Sequence, residues 1–526
     1  MVGLIALWAC ADPAPSARDL PPAEVPQASA VQVLQRASLD LRGVRPSVAE
    51  IEAVEADATV LEAQIDTFLD DPRFAGRVMD LWSEVYLTRT ETWSISGDAY
   101  GQDPVEFSQA VGEEPLRVLA HIAENDLPYT ELVTGDWTMA NAPLAAAWPL
   151  DYAGAGWQVA HYTDGRPAAG VLATNGMWWR YTSTDSNANR KRANAISRIF
   201  LCNDYLSRPI DFDRNVNLLD ESAVQEALTT NPSCIACHAS LDPIASYLFG
   251  FWWYDYANPL EARQYFPERE QRWKTYTGAE PAWYGEPGYD LADLGQQIAA
   301  DHRFPECATQ QAYALLLRRD VTLGDAAPLV EHRNAFLRGG LTLRALVRSV
   351  VDDPRYRAGD TDAPGYVPLK MATPDLLASQ VEDLTGYRWT YAGYDMLQSD
   401  TVGVRTLAGG ADGYDVTSTA TSPNATLVLV QERLAEAAAA YAVHEAPERL
   451  FTVDFTETPD TDRAALVAQV QSLHLRFFGN RVAADGPEVE AALALWVDVY
   501  AIERDPAAAW VAVVSALLRD PDLLFY

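Results

Sequence analysis

Apolar positions recur at three- and four-residue spacing from residue 31, where VQVLQRASLDLRGV predicts an amphipathic helix. Pro46-Ser47 restarts a helix at VAEIEAVEA. VLEAQIDTFLDDPRF predicts a third helix that stops at Asp71-Pro72, because proline cannot continue the hydrogen-bond ladder. The same order returns at 311–356 and at 470–525: a Leu/Arg-rich helix, a polar turn, a middle helix, and a last helix running into Asp353-Pro354 or Asp520-Pro521. Asp-Pro is a common helix stop, so convergent helical hairpins compete with a repeated three-helix module. Three copies of one element order favour the module, and their wide separation excludes a solenoid.

Between the copies the pattern is less regular. Residues 89–165 and 251–290 are rich in Trp, Tyr, Gly and Pro, with helical pieces such as EPLRVLAHIAEND. Residues 401–420 are Gly/Thr-rich and predict loop or short strand. Strand signal is poor, so the expected fold is mainly α, with several helical domains and long ordered loops. The organisation read from the chain is an N-terminal segment 1–10, a Pro/Ala-rich linker 11–30, a helical domain 31–165, a central domain 166–360 and a C-terminal helical domain 361–526.

Composition narrows the function. The chain has 526 residues, 48% hydrophobic and 21% charged, which excludes a disordered class and leaves ample length for sizeable cores. Its 74 acidic side chains against 39 basic ones give a net charge of −35. That excludes nucleic acid as a partner and a basic patch on anionic lipid. No internal stretch is long and apolar enough to span a bilayer. Val2–Ala9 is a short apolar run ending at Cys10, and Leu7-Trp8-Ala9-Cys10 resembles a bacterial lipobox. Cys10 is therefore the expected lipidation site of a periplasmic or outer-membrane lipoprotein, although Trp8 is unusual there and a basic n-region is missing.

One motif carries strong chemistry. Residues 234–238 read Cys-Ile-Ala-Cys-His, the C-x-x-C-H attachment pattern of a c-type haem. On a helix, positions i, i+3 and i+4 share a face. Cys234 and Cys237 can then form thioethers with the porphyrin while His238 offers its imidazole to the iron. Thr229–Ser233 supplies a turn and a helix start just before the motif, and Asp242-Pro243 follows at loop distance. A metal-bound imidazole needs an acceptor for its other N–H, and the backbone carbonyl of Asp242 or Pro243 is the expected one. Zinc would need four ligands, and a thiol-redox C-x-x-C would want a βαβ context. Neither accompanies this motif, and a disulfide within it would leave His238 unused.

The remaining cysteines, Cys202 and Cys307, are best paired in an oxidising compartment; two separate buried thiols are the alternative. For a sixth iron ligand the candidates are Met177 first and His302 second, with Met371, Met396 and His161 behind them. Each of these is also an ordinary packing residue. Arg190 and Arg192, with Lys191, form the densest basic cluster in an acidic chain and are candidate contacts for haem propionates; a solvated basic loop is the plainer reading.

The run GVLATNGMWWRYTSTDSNANRKRANAISRIFLC, then SRPIDFD, TTNPSCIACHASLDPIASYLFGFWWYD and GYDLADLGQQIAADHRFPEC resembles secreted, largely uncharacterised cytochrome c-like families of planctomycete- and myxobacterium-type bacteria. The opening LDLRGVRPSVAEIEAVEA resembles the N-terminal helical domain of the same proteins. The resemblance implies a cytochrome c-like haem domain in the middle of the chain, with one covalent haem c on Cys234, Cys237 and His238, and family cysteines at Cys202 and Cys307. Met177-Trp178-Trp179 departs from it.

Three functions follow as expectations. The first is an exported, lipid-anchored monohaem cytochrome that passes electrons to a basic redox partner. The second is a haem-dependent oxidoreductase or peroxidase-like enzyme, its 15 Trp and 24 Tyr lining a cleft for a substrate such as a saccharide. The third is a surface-binding scaffold in which the motif is structural. No Ser/His/Asp set, phosphate loop or H-E-x-x-H helix is visible.

Overall fold

The structure, a computed structural model, describes residues 25–91, 93, 96–208, 216–217, 219–252, 265–361, 363 and 365–526. Cys10 and most of the linker lie outside the described residues. The fold is mainly helical, and among the described residues it has three short antiparallel strand pairs: Thr138–Ala140 with Gln158–Ala160, Ala282–Trp283 with Glu286–Pro287, and Thr390–Tyr391 with Tyr394–Asp395.

The first module forms as its pattern predicts. Ser29 and Gln32 make a reciprocal cap at the start of helix Ala30–Arg42, and Ser47 and Glu50 do the same for Val48–Ala56. Gly43 ends the first helix in the left-handed conformation at φ 75°, where the Arg77 side chain packs too closely to admit a Cβ. Helix Leu61–Leu69 completes the set. The second module is Arg303–Leu317, Ala326–Arg338 and Leu343–Val351; the third is Pro459–Phe478, Pro487–Glu503 and Pro506–Leu518.

The three Asp-Pro steps do the same local work. Each aspartate accepts the backbone N–H two residues on: Asp71 from Arg73 at 2.9 Å, Asp353 from Arg355 at 2.6 Å and Asp520 from Asp522 at 2.9 Å. This Asx turn stops one helix and redirects the chain, with proline excluding any continuation.

The sequence understates one element. The piece read as EPLRVLAHIAEND belongs to a helix of 21 residues, Pro104–Glu124, capped by the Asp103 carboxylate on the N–H groups of Val105 and Glu106. Pro115 lies inside it, so the helix runs past a residue that normally marks a start.

One apolar core gathers side chains from Val33 through Tyr356, with Leu475 of the third module added, so the N-terminal and central regions share it. A second gathers Met371 through Leu524 and includes the third module. Between them, Lys370 is fully buried against Asp40, which also accepts hydrogen bonds from Tyr356 at 2.7 Å and from the C-terminal residue Tyr526 at 2.8 Å. Residues from three distant parts of the chain meet on that one carboxylate. Among the described residues no helix is long and apolar enough to cross a membrane.

Candidate functional site

The motif helix runs Pro232–Ser246. Asn231 caps it, accepting the Ser233 N–H at 2.9 Å, and Pro232 occupies the first turn, where a missing N–H costs nothing. The helix start expected just before Cys234 is therefore present. Cys234, Cys237 and His238 fall on one face, all three half-buried, and both cysteines are free thiols. Cys237 also packs against the main core.

His238 is oriented from within its own helix. Its Nδ1 lies 2.9 Å from Asp242 Oδ1, one turn further on. The expected acceptor was a backbone carbonyl of Asp242 or Pro243; the structure uses the Asp242 carboxylate instead. The reason is that the helix does not end at Asp242-Pro243 but continues to Ser246, which keeps the i+4 side chain on the His238 face. The Asp242 carbonyl accepts from Ser246 Oγ at 2.9 Å.

Arg190 completes the set. It stands at the first position of helix Arg190–Leu201 and grips Asp242 with two bonds, Nε to Oδ1 at 2.6 Å and Nη2 to Oδ2 at 3.0 Å. Burial alone would raise the Asp242 pKa. Hydrogen bonds from His238 and Arg190 outweigh it and hold the carboxyl below its ordinary value. An ionised Asp242 is an acceptor for a proton on His238 Nδ1, the arrangement that presents Nε2 as a ligand nitrogen. Nε2 makes no hydrogen bond among the described residues.

The far end of helix Arg190–Leu201 is also fixed. Cys202 follows it in the left-handed region at φ 51° and is disulfide-bonded to Cys307 on helix Arg303–Leu317, with Cα atoms 5.3 Å apart. The expected bridge is present. Further support comes from hydroxyls. Ser240 Oγ on the motif helix lies 2.6 Å from Tyr205 Oη, which donates to Tyr284 Oη at 3.2 Å. Burial, the largest influence, pushes Tyr205 up to about 12, so it stays a neutral donor.

The other predicted site residues lie elsewhere. Arg192 is 1% exposed and donates to the carbonyls of Tyr181, Phe251 and Trp178 and to Asn189 Oδ1, so its guanidinium is committed to the core rather than turned outward. Met177 sits fully buried in the main core on helix Asn175–Arg180. That helix packs so tightly on Pro104–Glu124 that a Cβ at Gly176 would strike the Val111 carbonyl. The His302 side chain is 80% exposed beside Asp301. Met371 and Met396 are buried, Met371 in the second core, and His161 is an exposed partner of Asp151. The fold thus brings together Cys234, Cys237, His238 and Arg190. It gives Met177 and His302 opposite settings, one enclosed and one on the surface.

Two groups escaped the sequence. Asp242 was legible only as a loop residue. A Ser/His/Asp set also exists: His332 Nε2 lies 3.0 Å from Asp353 Oδ2, and Nδ1 lies 2.9 Å from Ser349 Oγ. Ser349 is inside helix Leu343–Val351, where N–H groups are spent on the helix, so the set lacks the oxyanion donors of a hydrolase. It fastens the second Asp-Pro turn to its neighbouring helix. Among the described residues no three His, Cys, Asp or Glu side chains converge as a metal-ligand group.

Comparison with known proteins touches the N-terminal part of the chain. Residues 16–145 match the PSCyt2 family, a protein of unknown function (DUF1549). The family name points to a cytochrome, and the match ends before the motif helix begins. No curated protein matches, and no solved structure matches.

Proposed function

We propose that the chain is an exported c-type cytochrome with a single covalent haem on helix Pro232–Ser246, acting in electron transfer. The observation that carries this reading is the Cys234–Cys237–His238 face with His238 Nδ1 held by Asp242. The donor set suits the group: two half-buried free thiols at i and i+3, and an imidazole at i+4 whose Nε2 makes no hydrogen bond among the described residues. A bound haem supplies a one-electron couple. The chain's own contribution is orientation. Asp242 fixes the His238 tautomer, Arg190 balances the Asp242 charge, and the Cys202–Cys307 bridge anchors the helix that carries Arg190. The bridge fits an oxidising compartment, as does lipidation at Cys10. The net charge of −35 favours a basic redox partner met through fast, salt-sensitive encounter.

The test is expression of the full chain with a c-type maturation system, followed by denaturing electrophoresis and haem staining. Stain that persists after denaturation in wild type and is lost in Cys234→Ala/Cys237→Ala supports the reading. A colourless wild-type band sinks it.

A further inference from the structure

A cavity of about 780 Å³ opens between helices Arg73–Tyr86 and Pro104–Glu124 on one side and the segment around residues 375–405 on the other. None of the motif residues lines it. The volume is in the range of ligand pockets, roughly 300–1,000 Å³, but the walls are polar and charged where a typical small-molecule site is apolar.

Two buried charges at this cavity are paired only at ion-pair distance. Asp375 lies in the first turn of helix Pro374–Thr385 and is 7% exposed; Arg405 lies on Val404–Leu407 and is 5% exposed. Arg405 Nη2 is 3.8 Å from Asp375 Oδ2, and Arg89 Nη1 is 3.9 Å from Asp375 Oδ1, both beyond hydrogen-bond reach. Among the described residues, neither the Asp375 carboxylate nor the Arg405 guanidinium makes a hydrogen bond, and Arg405 Nε is wholly buried without a partner. Arg77 Nη1 and Arg89 Nη1 both donate to Asp80 at 2.8 Å, while Arg77 Nε, like Arg405 Nε, is buried without a partner. Leaving buried polar groups unpaired is costly, and a buried pair separated by this gap invites a bridging group.

The chemistry of that group follows from the pair. The two charges are opposite, so the site asks for no net charge in return. It asks for atoms that accept from a guanidinium and donate to a carboxylate less than 4 Å away. A hydroxyl does both, and adjacent hydroxyls do so twice. Carboxylates outnumber guanidiniums around the cavity, which disfavours an anionic ligand. Ser379 and Ser399 extend the hydroxyl-compatible wall. We infer that this cavity is a binding site for a neutral saccharide whose hydroxyls bridge Asp375 and Arg405.

The test is calorimetric titration of the full-length protein with neutral trisaccharides (maltotriose, cellotriose, xylotriose, mannotriose) and with trigalacturonate. Binding of at least one neutral sugar is expected, weakened about tenfold or more in Asp375→Asn. Ser379→Trp, which fills the cavity without altering either buried charge, should weaken it equally and guards against a folding defect in the first variant. Three results overturn the proposal. They are no neutral-sugar binding at about 10 mM, a preference for the uronate, or wild-type affinity in Ser379→Trp.

Discussion

His238 Nδ1 and Asp242 Oδ1 lie 2.9 Å apart across one turn of a single helix, and Arg190 clamps the same carboxylate from a second helix. The imidazole is therefore set by a side chain that is itself set. On the proposed haem reading, Asp242→Asn should leave covalent attachment intact, because both thiols remain. It should loosen His238 as a ligand, since an amide no longer accepts as a charge and Arg190 loses its counter-ion. Outer-shell losses of this kind cost about 10–100-fold in metal affinity. The expected result is displacement by external imidazole at a concentration lower by about that factor, read from the visible spectrum. Unchanged displacement would show that Asp242 does not position His238.

The Cys202–Cys307 bridge closes a separation of 105 residues that contains the whole motif helix. Loop-closure entropy for that length is worth about 4–5 kcal/mol, and removing native bridges costs about 2–5 kcal/mol. Cys202→Ser/Cys307→Ser should lower the denaturant midpoint accordingly. Wild type in reductant should move to the same place, and the variant should no longer respond to reductant. Equal midpoints with and without the bridge would show that packing alone holds helix Arg190–Leu201.

Much of this fold was legible in the chain. The helices of the three modules follow from apolar spacing. Their ends follow from Asp-Pro, and the motif helix starts where Asn231-Pro232 says it should. The bridge followed from counting cysteines. The site was legible only where neighbours in sequence make it. Asp242 was misread because proline at 243 argues for a helix end, and only tertiary packing keeps the helix going to Ser246. Arg192 looked like part of a basic surface cluster, yet helix Arg190–Leu201 turns it inward to backbone carbonyls. Asp375 and Arg405 were invisible among 74 acidic and 39 basic side chains, because burial without hydrogen bonds is a property of the fold alone.

Lys370 and Asp40 form a fully buried ion pair joining the first helix to the start of the C-terminal region. Burial pulls Lys370 down to about 8 against the attraction of Asp40. Removing one partner of such a pair strands a charge and typically costs about 3–5 kcal/mol. Asp40→Asn should cost that much in denaturant unfolding. Asp40→Asn/Lys370→Met should recover most of the loss, because no ammonium is then left without its counter-charge. If the double variant is as unstable as the sum of the singles, the loss lies in the tyrosine hydrogen bonds and not in the stranded lysine.

Glu114 gives the chain a pH dependence of its own. It is fully buried on helix Pro104–Glu124 and accepts from Tyr162 Oη at 2.5 Å and Thr138 Oγ1 at 2.9 Å. Burial dominates those bonds and raises it from the ordinary 4.5 to about 7. The folded protein therefore holds this proton more tightly than the unfolded chain. The resulting stabilisation is full below pH 4.5 and is lost as pH rises toward 7 and just above, by roughly 3 kcal/mol in all. Glu114→Gln has nothing to titrate and keeps an acceptor for both hydroxyls. Other groups titrate in both proteins, so the informative quantity is the difference between them. The variant should gain on wild type as pH goes from 5 to 8 in thermal unfolding, with the crossing complete by pH 8. A constant difference across that window would mean that Glu114 is ionised in the folded state.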